Sequence, residues 1–288
     1  MLDLEYELKG ISRRNRDGSR MTQAQREQRL RQIARDLDRL GYKHLRTSSL
    51  KPKHVQALVD DWHAKGLSQG TIKNRMADLR WWAEKVGKPE VLANSNDHYG
   101  IAHRIYVTND SKARDLPADA LAKVSDPHVQ MTLRLQAAFG LRREEAIKLT
   151  PSYADRGDRL ALKSTWCKGG RPREIPIRTA EQRAVLDEAH QLAGSGSLIP
   201  PHLRYVDQRR RYERECVRAG LDRMHGLRHA YAQGRYQEMT GLPAPAAGGP
   251  RSRDLTVEQK ALDQVARLEI SRELGHEREQ ITSVYLGR

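Results

Sequence analysis

A mainly α-helical chain with a small β-sheet (α+β), organised as two domains, is the fold class this sequence predicts, and three observations predict it. Apolar residues recur at helical spacing through most of the chain. One stretch around Lys168-Gly169-Gly170 carries short strand-like runs instead. Between them, residues 94–116 lack a period and carry Asn94, Ser95, Asn96, Asp97, Asn109 and Asp110, which is linker chemistry. At 288 residues the chain is long enough to bury two cores, so the boundary is placed in that linker, giving domains 1–105 and 106–288.

The elements follow in order. Residues 1–20 are polar and basic, with Gly10 and Gly18, and read either as a flexible arm or as the start of a packed element. From Met21 to Leu40 the stripe Leu30, Ile33, Leu37, Leu40 predicts an amphipathic helix that stops at Gly41. A second helix is expected from about His54 to Lys65, through Val55, Leu58 and Trp62, after the start signal Pro52. The third has Ser68 at its N-cap and the stripe Ile72, Met76, Leu79, Trp82, and ends before Gly87 and Pro89. Beyond the linker, 117–125 and 128–139 read as helical, and Gly140 interrupts the pattern. Residues 160–163 and 173–177 flank the Lys-Gly-Gly turn as a β-hairpin. Helices return at about 180–193, 203–219, 225–238 and 257–274, and the Pro/Ala/Gly run 242–252 reads as a surface loop.

Charge narrows the partner. The formal net charge is +15, with basic residues spread along the whole chain, which predicts an extended polyanion-binding surface. No apolar run approaches the roughly 20 residues of a spanning helix and no signal peptide opens the chain, so no membrane role and a cytoplasmic location are expected. Cys167 and Cys216 are too few for a disulfide framework and are not spaced as a zinc site, so no metal site is expected. Aromatics are sparse, which argues against the stacking platforms of single-strand binders and for double-stranded DNA. Lys73, Arg75, Arg80 and Lys85, interspersed around the third helix, are candidate phosphate contacts; a solvated charged face is the competing reading.

The second domain carries the residue types for metal-free phosphodiester chemistry: a nucleophile, cations for the non-bridging oxygens and an acid for the leaving oxygen. Arg142 lies in Gly140-Leu141-Arg142-Arg143-Glu144-Glu145, where Gly140 permits a close turn. Lys168 sits beside two glycines and suits a proton donor. His225 and Arg228 share a helical face in His225-Gly226-Leu227-Arg228-His229. Leu274-Gly275-His276 is followed nine residues after the His by Tyr285, with Ile281 and Val284 expected to bury the intervening segment. Each fragment alone is weak, since a His-x-x-Arg match arises by chance in an Arg-rich chain and Lys-Gly-Gly is usually just a turn.

The ordered set of these motifs resembles the tyrosine recombinase family, the integrases of phages and mobile elements and the chromosome-dimer resolvases. The likeness runs from about Ser48 to Tyr285 and is strongest in the C-terminal motifs. It implies a helical core-binding domain, including Gly66 to Trp82, followed by a catalytic domain. It implies that Arg142, Lys168, His225, Arg228, His276 and Tyr285 fill the six active-site positions, with Glu145 supporting the first Arg and His229 structural. It further implies a 3′-phosphotyrosyl intermediate on Tyr285, protonation of the 5′-oxygen by Lys168, a Holliday junction, no cofactor, a tetramer on paired DNA sites and an accessory directionality factor. The sequence departs from the family in the 48 residues from Arg228 to His276, longer than expected, with the excess centred on the 242–252 loop. A type IB-like topoisomerase and a catalytically inert DNA-binding accessory protein are the competing readings.

Overall fold

The computed structural model describes residues 2–276 and 278–288. Its backbone contacts fall into two compact units, Met1–Ile105 and Tyr106–Arg288. In the first unit the opening stretch is a packed helix, α1 (Asp3–Arg14), because Leu4, Leu8 and Ile11 share one face and are buried against α2 (Arg20–Arg39). Ser19 caps α2 by accepting from the Thr22 N–H, and Leu30, Ile33 and Leu37 face inward. Pro52 opens α3 (Pro52–Ala64), where its missing N–H removes no helical hydrogen bond. Ser68 caps α4 (Gln69–Lys85), whose Ile72, Met76, Leu79 and Trp82 join the same core. Trp62 and Trp82 are completely buried at its centre, and the Trp62 Nε1 donates to buried Asp36.

In the second unit α5 (Ala118–Ala122) and α6 (Pro127–Phe139) precede Gly140, which ends α6 in the left-handed region. A Cβ at Gly140 would lie 2.5 Å from the Tyr231 ring, so conformation and space both demand glycine. Immediately after it come α7 (Arg143–Lys148) and α8 (Pro151–Ala154), then the antiparallel strands β1 (Arg159–Leu162) and β2 (Arg173–Pro176). The strands are not joined by a tight glycine turn. The connection holds two short 3-10 turns, Ser164–Trp166 and Lys168–Gly170, and Trp166 and Cys167 are buried beneath it. There follow α9 (Ala180–Ala193), α10 (Tyr205–Arg218), α11 (Gly226–Thr240), α12 (Val257–Leu274) and α13 (Glu279–Leu286). α11 is the hub, packing on α6, α12 and α13 over a core that includes Phe139, Leu160, Ile175, Ala232, Ile270 and Leu274.

Two further expectations are corrected. The 242–252 stretch is a surface loop only in part: Pro243, Ala247, Gly248 and Arg251 are exposed, but Ala244, Pro245 and Ala246 are buried, and the 245–247 turn packs against α13. Ile281 does not bury the segment before Tyr285, being 42% exposed, whereas Thr282, Ser283 and Leu286 face inward. Thr282 faces inward because its hydroxyl has a histidine partner there. No helix among the described residues is long and apolar enough to cross a membrane.

Candidate active site

Gly140 delivers the chain into α7 with Arg142 still extended, which leaves the Arg142 N–H without a helical partner. Glu145 supplies one. Its Oε2 accepts from the Arg142 N–H at 2.7 Å and its Oε1 from the Arg142 Nη1 at 2.7 Å. The same carboxylate receives Arg173 of β2 through both terminal nitrogens, at 2.8 and 2.7 Å. Glu145 is completely buried, which by itself would raise its pKa; the Arg173 hydrogen bonds and the charges of Arg173, Arg142 and Arg228 outweigh that and hold it at about 2. The carboxylate is therefore a fixed anion that orients two guanidinium groups.

Arg228 is completely buried and reaches between two chain segments. Its Nη1 donates to the Gly140 carbonyl at 2.6 Å and its Nη2 to the Leu274 carbonyl, while its Nε has no hydrogen-bond partner among the described residues. Burial, and next the charge of Arg142, lower its pKa to about 10, which leaves it protonated at neutral pH. The Leu274 carbonyl is available because Gly275 ends α12 in the left-handed region, close against Arg173, and turns the chain so that His276 faces Arg228. His276 Nε2 lies 3.3 Å from Arg228 Nη2 and its Nδ1 lies 2.9 Å from Thr282 Oγ1. A guanidinium offers no acceptor, so these partners assign Nε2 as acceptor and place the proton on Nδ1. Burial and the nearby arginines hold His276 at about 3, so its ring is neutral.

Tyr285 lies in the middle of this group, 7% exposed. Its ring stacks on His276 with centroids 5.1 Å apart, tilts over His229 at 4.4 Å, and has the Arg228 guanidinium 5.7 Å from its centre. Its hydroxyl is 3.2 Å from His225 Nε2. His225 keeps an open edge but stands in a crowded cleft; desolvation, then the charges of Arg228 and Arg142, lower its pKa, so a neutral ring faces the hydroxyl. Burial and the adjoining His225 hold His229 at about 4. Lys168 stands in its exposed turn, without a hydrogen-bond or ion-pair partner among the described residues, and is near enough to His225 for its charge to be felt there.

Arg142, His225, Arg228, His276 and Tyr285 thus converge, Glu145 and His229 support them, and Lys168 stands at the margin. Most of the cluster is buried, with His225 and Lys168 at its exposed margin; the cleft of about 540 Å³ lined by Arg134, Arg178 and Arg235 includes none of the six. In the first unit Arg75 bonds to Asp36, Arg80 to Asn96 and the Ala93 carbonyl, and Lys85 to Asp17 and Glu84. Lys73 is partly exposed.

The sequence reading missed Arg173 and Glu273. Arg173 also donates through Nε to the Glu273 carbonyl at 2.7 Å, and so ties the hairpin to the turn before His276. Glu273 is 1% exposed and accepts from Tyr231 at 2.6 Å, from Arg178 and from Arg235. Nothing in Gly170-Arg171-Pro172-Arg173 marks which arginine turns inward; the inward, outward alternation of β2 decides it only once the register is known.

Two family models match the sequence: "Phage integrase, N-terminal" over residues 1–92 and "Integrase" over residues 104–234. Arg142, Glu145, Lys168, His225, Arg228 and His229 lie within the second match, and His276 and Tyr285 beyond it. Comparison with curated proteins gives no match. Among solved structures, a lambda integrase dimer bound to a COC′ core site is similar at TM-score 0.64 and 17% identity, covering 99% of this chain and 78% of that one. A lambda integrase tetramer bound to a Holliday junction is similar at TM-score 0.62 and 16% identity, covering 98% and 77%. The Tn1549 transposon integrase (residues 82–397) with circular intermediate DNA is similar at TM-score 0.57 and 16% identity, covering 100% and 96%. At these identities the likeness is one of fold.

Proposed function

The chain belongs to the phage-integrase family of tyrosine recombinases, site-specific DNA recombinases, and from that membership we propose that it cuts and rejoins double-stranded DNA through Tyr285, in the integration or excision of a mobile element. The observation that carries the reading is the Tyr285 hydroxyl 3.2 Å from a neutral His225, inside a cluster that also holds Arg142, Arg228 and His276. A free tyrosine has a pKa near 10, so attack at neutral pH needs a base and nearby positive charge, and both are supplied here.

In the proposed step the scissile phosphate lies between Arg142 and Arg228, whose fixed, permanently charged donors hold its non-bridging oxygens. The Tyr285 oxygen attacks phosphorus and its proton passes to His225. The bond from phosphorus to the 5′-oxygen breaks, and Lys168 protonates that oxygen as it leaves. A 3′-phosphotyrosyl link results. Attack by a 5′-hydroxyl of a partner strand reverses the step, so the phosphoester bond energy is retained and no nucleotide cofactor enters. Hydrogen bonding of His276 to the phosphate requires its proton on Nε2, so arrival of the phosphate shifts that proton from Nδ1. Strand exchange through a Holliday junction in a tetramer on paired sites, with a directionality factor, completes the reading. In this reading the first unit is the core-binding domain, with Lys73 as its leading phosphate contact beside Arg75, Arg80 and Lys85, which are held by internal partners.

The test uses a nicked suicide duplex made from DNA flanking the gene. The expected result is a covalent protein–DNA band on a denaturing gel with wild type and none with Tyr285→Phe. Tight binding without an adduct from wild type would instead make the chain a DNA-binding accessory protein. An adduct that always religates its own strand and never a partner would make it a topoisomerase.

A further inference from the structure

Four side chains, Asn109, Ser111, Gln233 and Arg267, converge on the main chain of residues 285–288, directly or through one another, and each bonds away from the reacting atoms. Asn109 adopts a positive φ of 54°, a conformation that asparagine tolerates better than most residues. In that pose its side chain pairs with the main chain of Arg288 in both directions: Nδ2 donates to the Arg288 main-chain oxygen at 2.9 Å and Oδ1 accepts from the Arg288 N–H at 2.8 Å. Two residues on, the Ser111 hydroxyl donates to Gln233 Oε1 at 3.0 Å, and Gln233 Nε2 donates to the Tyr285 carbonyl at 3.0 Å. Gln233 is 8% exposed, so both ends of its amide need these partners. The same segment is fastened to the start of α11, where the Arg114 N–H bonds to the Gly226 carbonyl. A Cβ on Gly226 would lie 2.6 Å from the Lys112 carbonyl oxygen.

From the opposite direction, Arg267 is held by both oxygens of Asp263 and donates Nη1 to the Gly287 carbonyl at 2.9 Å. Gly287 has a φ of 79° and no room for a Cβ, which would lie 2.5 Å from Asn109 Oδ1 and 2.7 Å from the Ala246 nitrogen.

We propose that residues 109–114 are a positioning strap which, through Asn109 and Gln233, holds Tyr285 in place against His225. The proposal rests on the reading of Tyr285 as nucleophile. The strap sets where the main chain of Tyr285 lies, and so keeps the hydroxyl against His225.

The test compares full-length wild type with Asn109→Gly, which removes the side chain while tolerating the positive φ, and with Gln233→Glu, which still accepts from Ser111 but no longer donates to Tyr285. Two quantities are read: hydrogen–deuterium exchange of the peptide covering 281–288, and the single-turnover rate of adduct formation at saturating nicked DNA, with DNA affinity measured separately. Both variants are expected to exchange that peptide about tenfold faster, with 118–193 unchanged, and to form adduct about tenfold more slowly at unchanged DNA affinity. Wild-type exchange in both variants overturns the strap, and faster exchange with a wild-type rate overturns its positioning role. If wild type itself forms no Tyr285-dependent adduct, the nucleophile reading fails, and the exchange comparison still decides whether the strap exists.

Discussion

Replacing Arg173 by Met isolates the part played by a cation that makes no proposed contact with substrate. In the folded unit Arg173 gives Glu145 two hydrogen bonds and is itself only 6% exposed, against 0% for its partner. Removing it leaves a fully buried carboxylate with the Arg142 N–H and Nη1 as its remaining hydrogen-bond donors. Breaking a buried ion pair from one side costs about 3–5 kcal/mol, because the remaining charge loses its partner but not its desolvation. For a unit of this size each kcal/mol moves the midpoint about 2–4 °C, so a drop of roughly 6–20 °C in Tm is expected. Differential scanning calorimetry on the full chain is suited to this, since the first unit provides an internal reference if its transition is separate. The sharper test is the double variant Arg173→Met with Glu145→Gln. Removing the charge from both sides should recover part of the loss, so the double variant should melt above Arg173→Met alone. An Arg173→Met chain that melts within about 2 °C of wild type, or a double variant that loses the full sum of the single losses, would refute the argument.

Other outcomes follow from the same geometry. Gly140→Ala combines a left-handed φ with a contact at 2.5 Å from Tyr231, and a loss of at least about 2 kcal/mol in a urea titration is expected. Lys168→Ala should slow adduct formation by about 10²–10⁴-fold on ordinary DNA, and a substrate whose leaving 5′-oxygen is replaced by sulfur, which needs no proton, should restore most of the rate; failure of that rescue removes Lys168 as the acid. His276 and His229 are held near 3 and 4, below the unfolded value of about 6.5, so their contribution is complete above about pH 6.5 and is lost as pH falls toward those folded values. Glu145, held at about 2, adds a loss below about pH 4.5, so urea midpoints should fall steadily between about pH 7 and pH 4, and flat midpoints would contradict the assignment.

Much of this architecture was legible before folding because one rule, burial of an apolar stripe, shaped α2, α3 and α4. The boundaries from Ser68 and from Thr256, which accepts from the Gln259 N–H, follow equally local chemistry. Where the rule failed, another demand had displaced it. On α13 the inward face is polar, because Thr282 bonds to His276 and Tyr285 faces His225, and Ile281 is left outside. Within 242–252, α13 lies against the small residues of the 245–247 turn, a composition that alone cannot be told from that of a free loop. The spacing of Leu4, Leu8 and Ile11 was present in the sequence but hidden among charges. The supporting residues Arg173, Glu273, Gln233 and Asn109 carried no local signal, since each is defined by a partner far away in sequence.

Two guanidinium groups, Arg142 and Arg173, share the Glu145 carboxylate, and the charge of a third, Arg228, is felt there; Arg173 and Arg228 are almost free of solvent. Left alone, that arrangement is self-repelling, and it persists because the surrounding fold is stable enough to enforce it. In the proposed mechanism, a phosphodiester entering between Arg142 and Arg228 brings the missing negative charge and converts repulsion into shared attraction. Folding and substrate binding are thereby linked: cognate DNA should raise the melting temperature of this unit beyond what its phosphate contacts elsewhere provide. The same linkage sets a limit on engineering, because substitutions that make the free protein more robust by thinning this cluster will do so at the expense of its hold on the scissile phosphate.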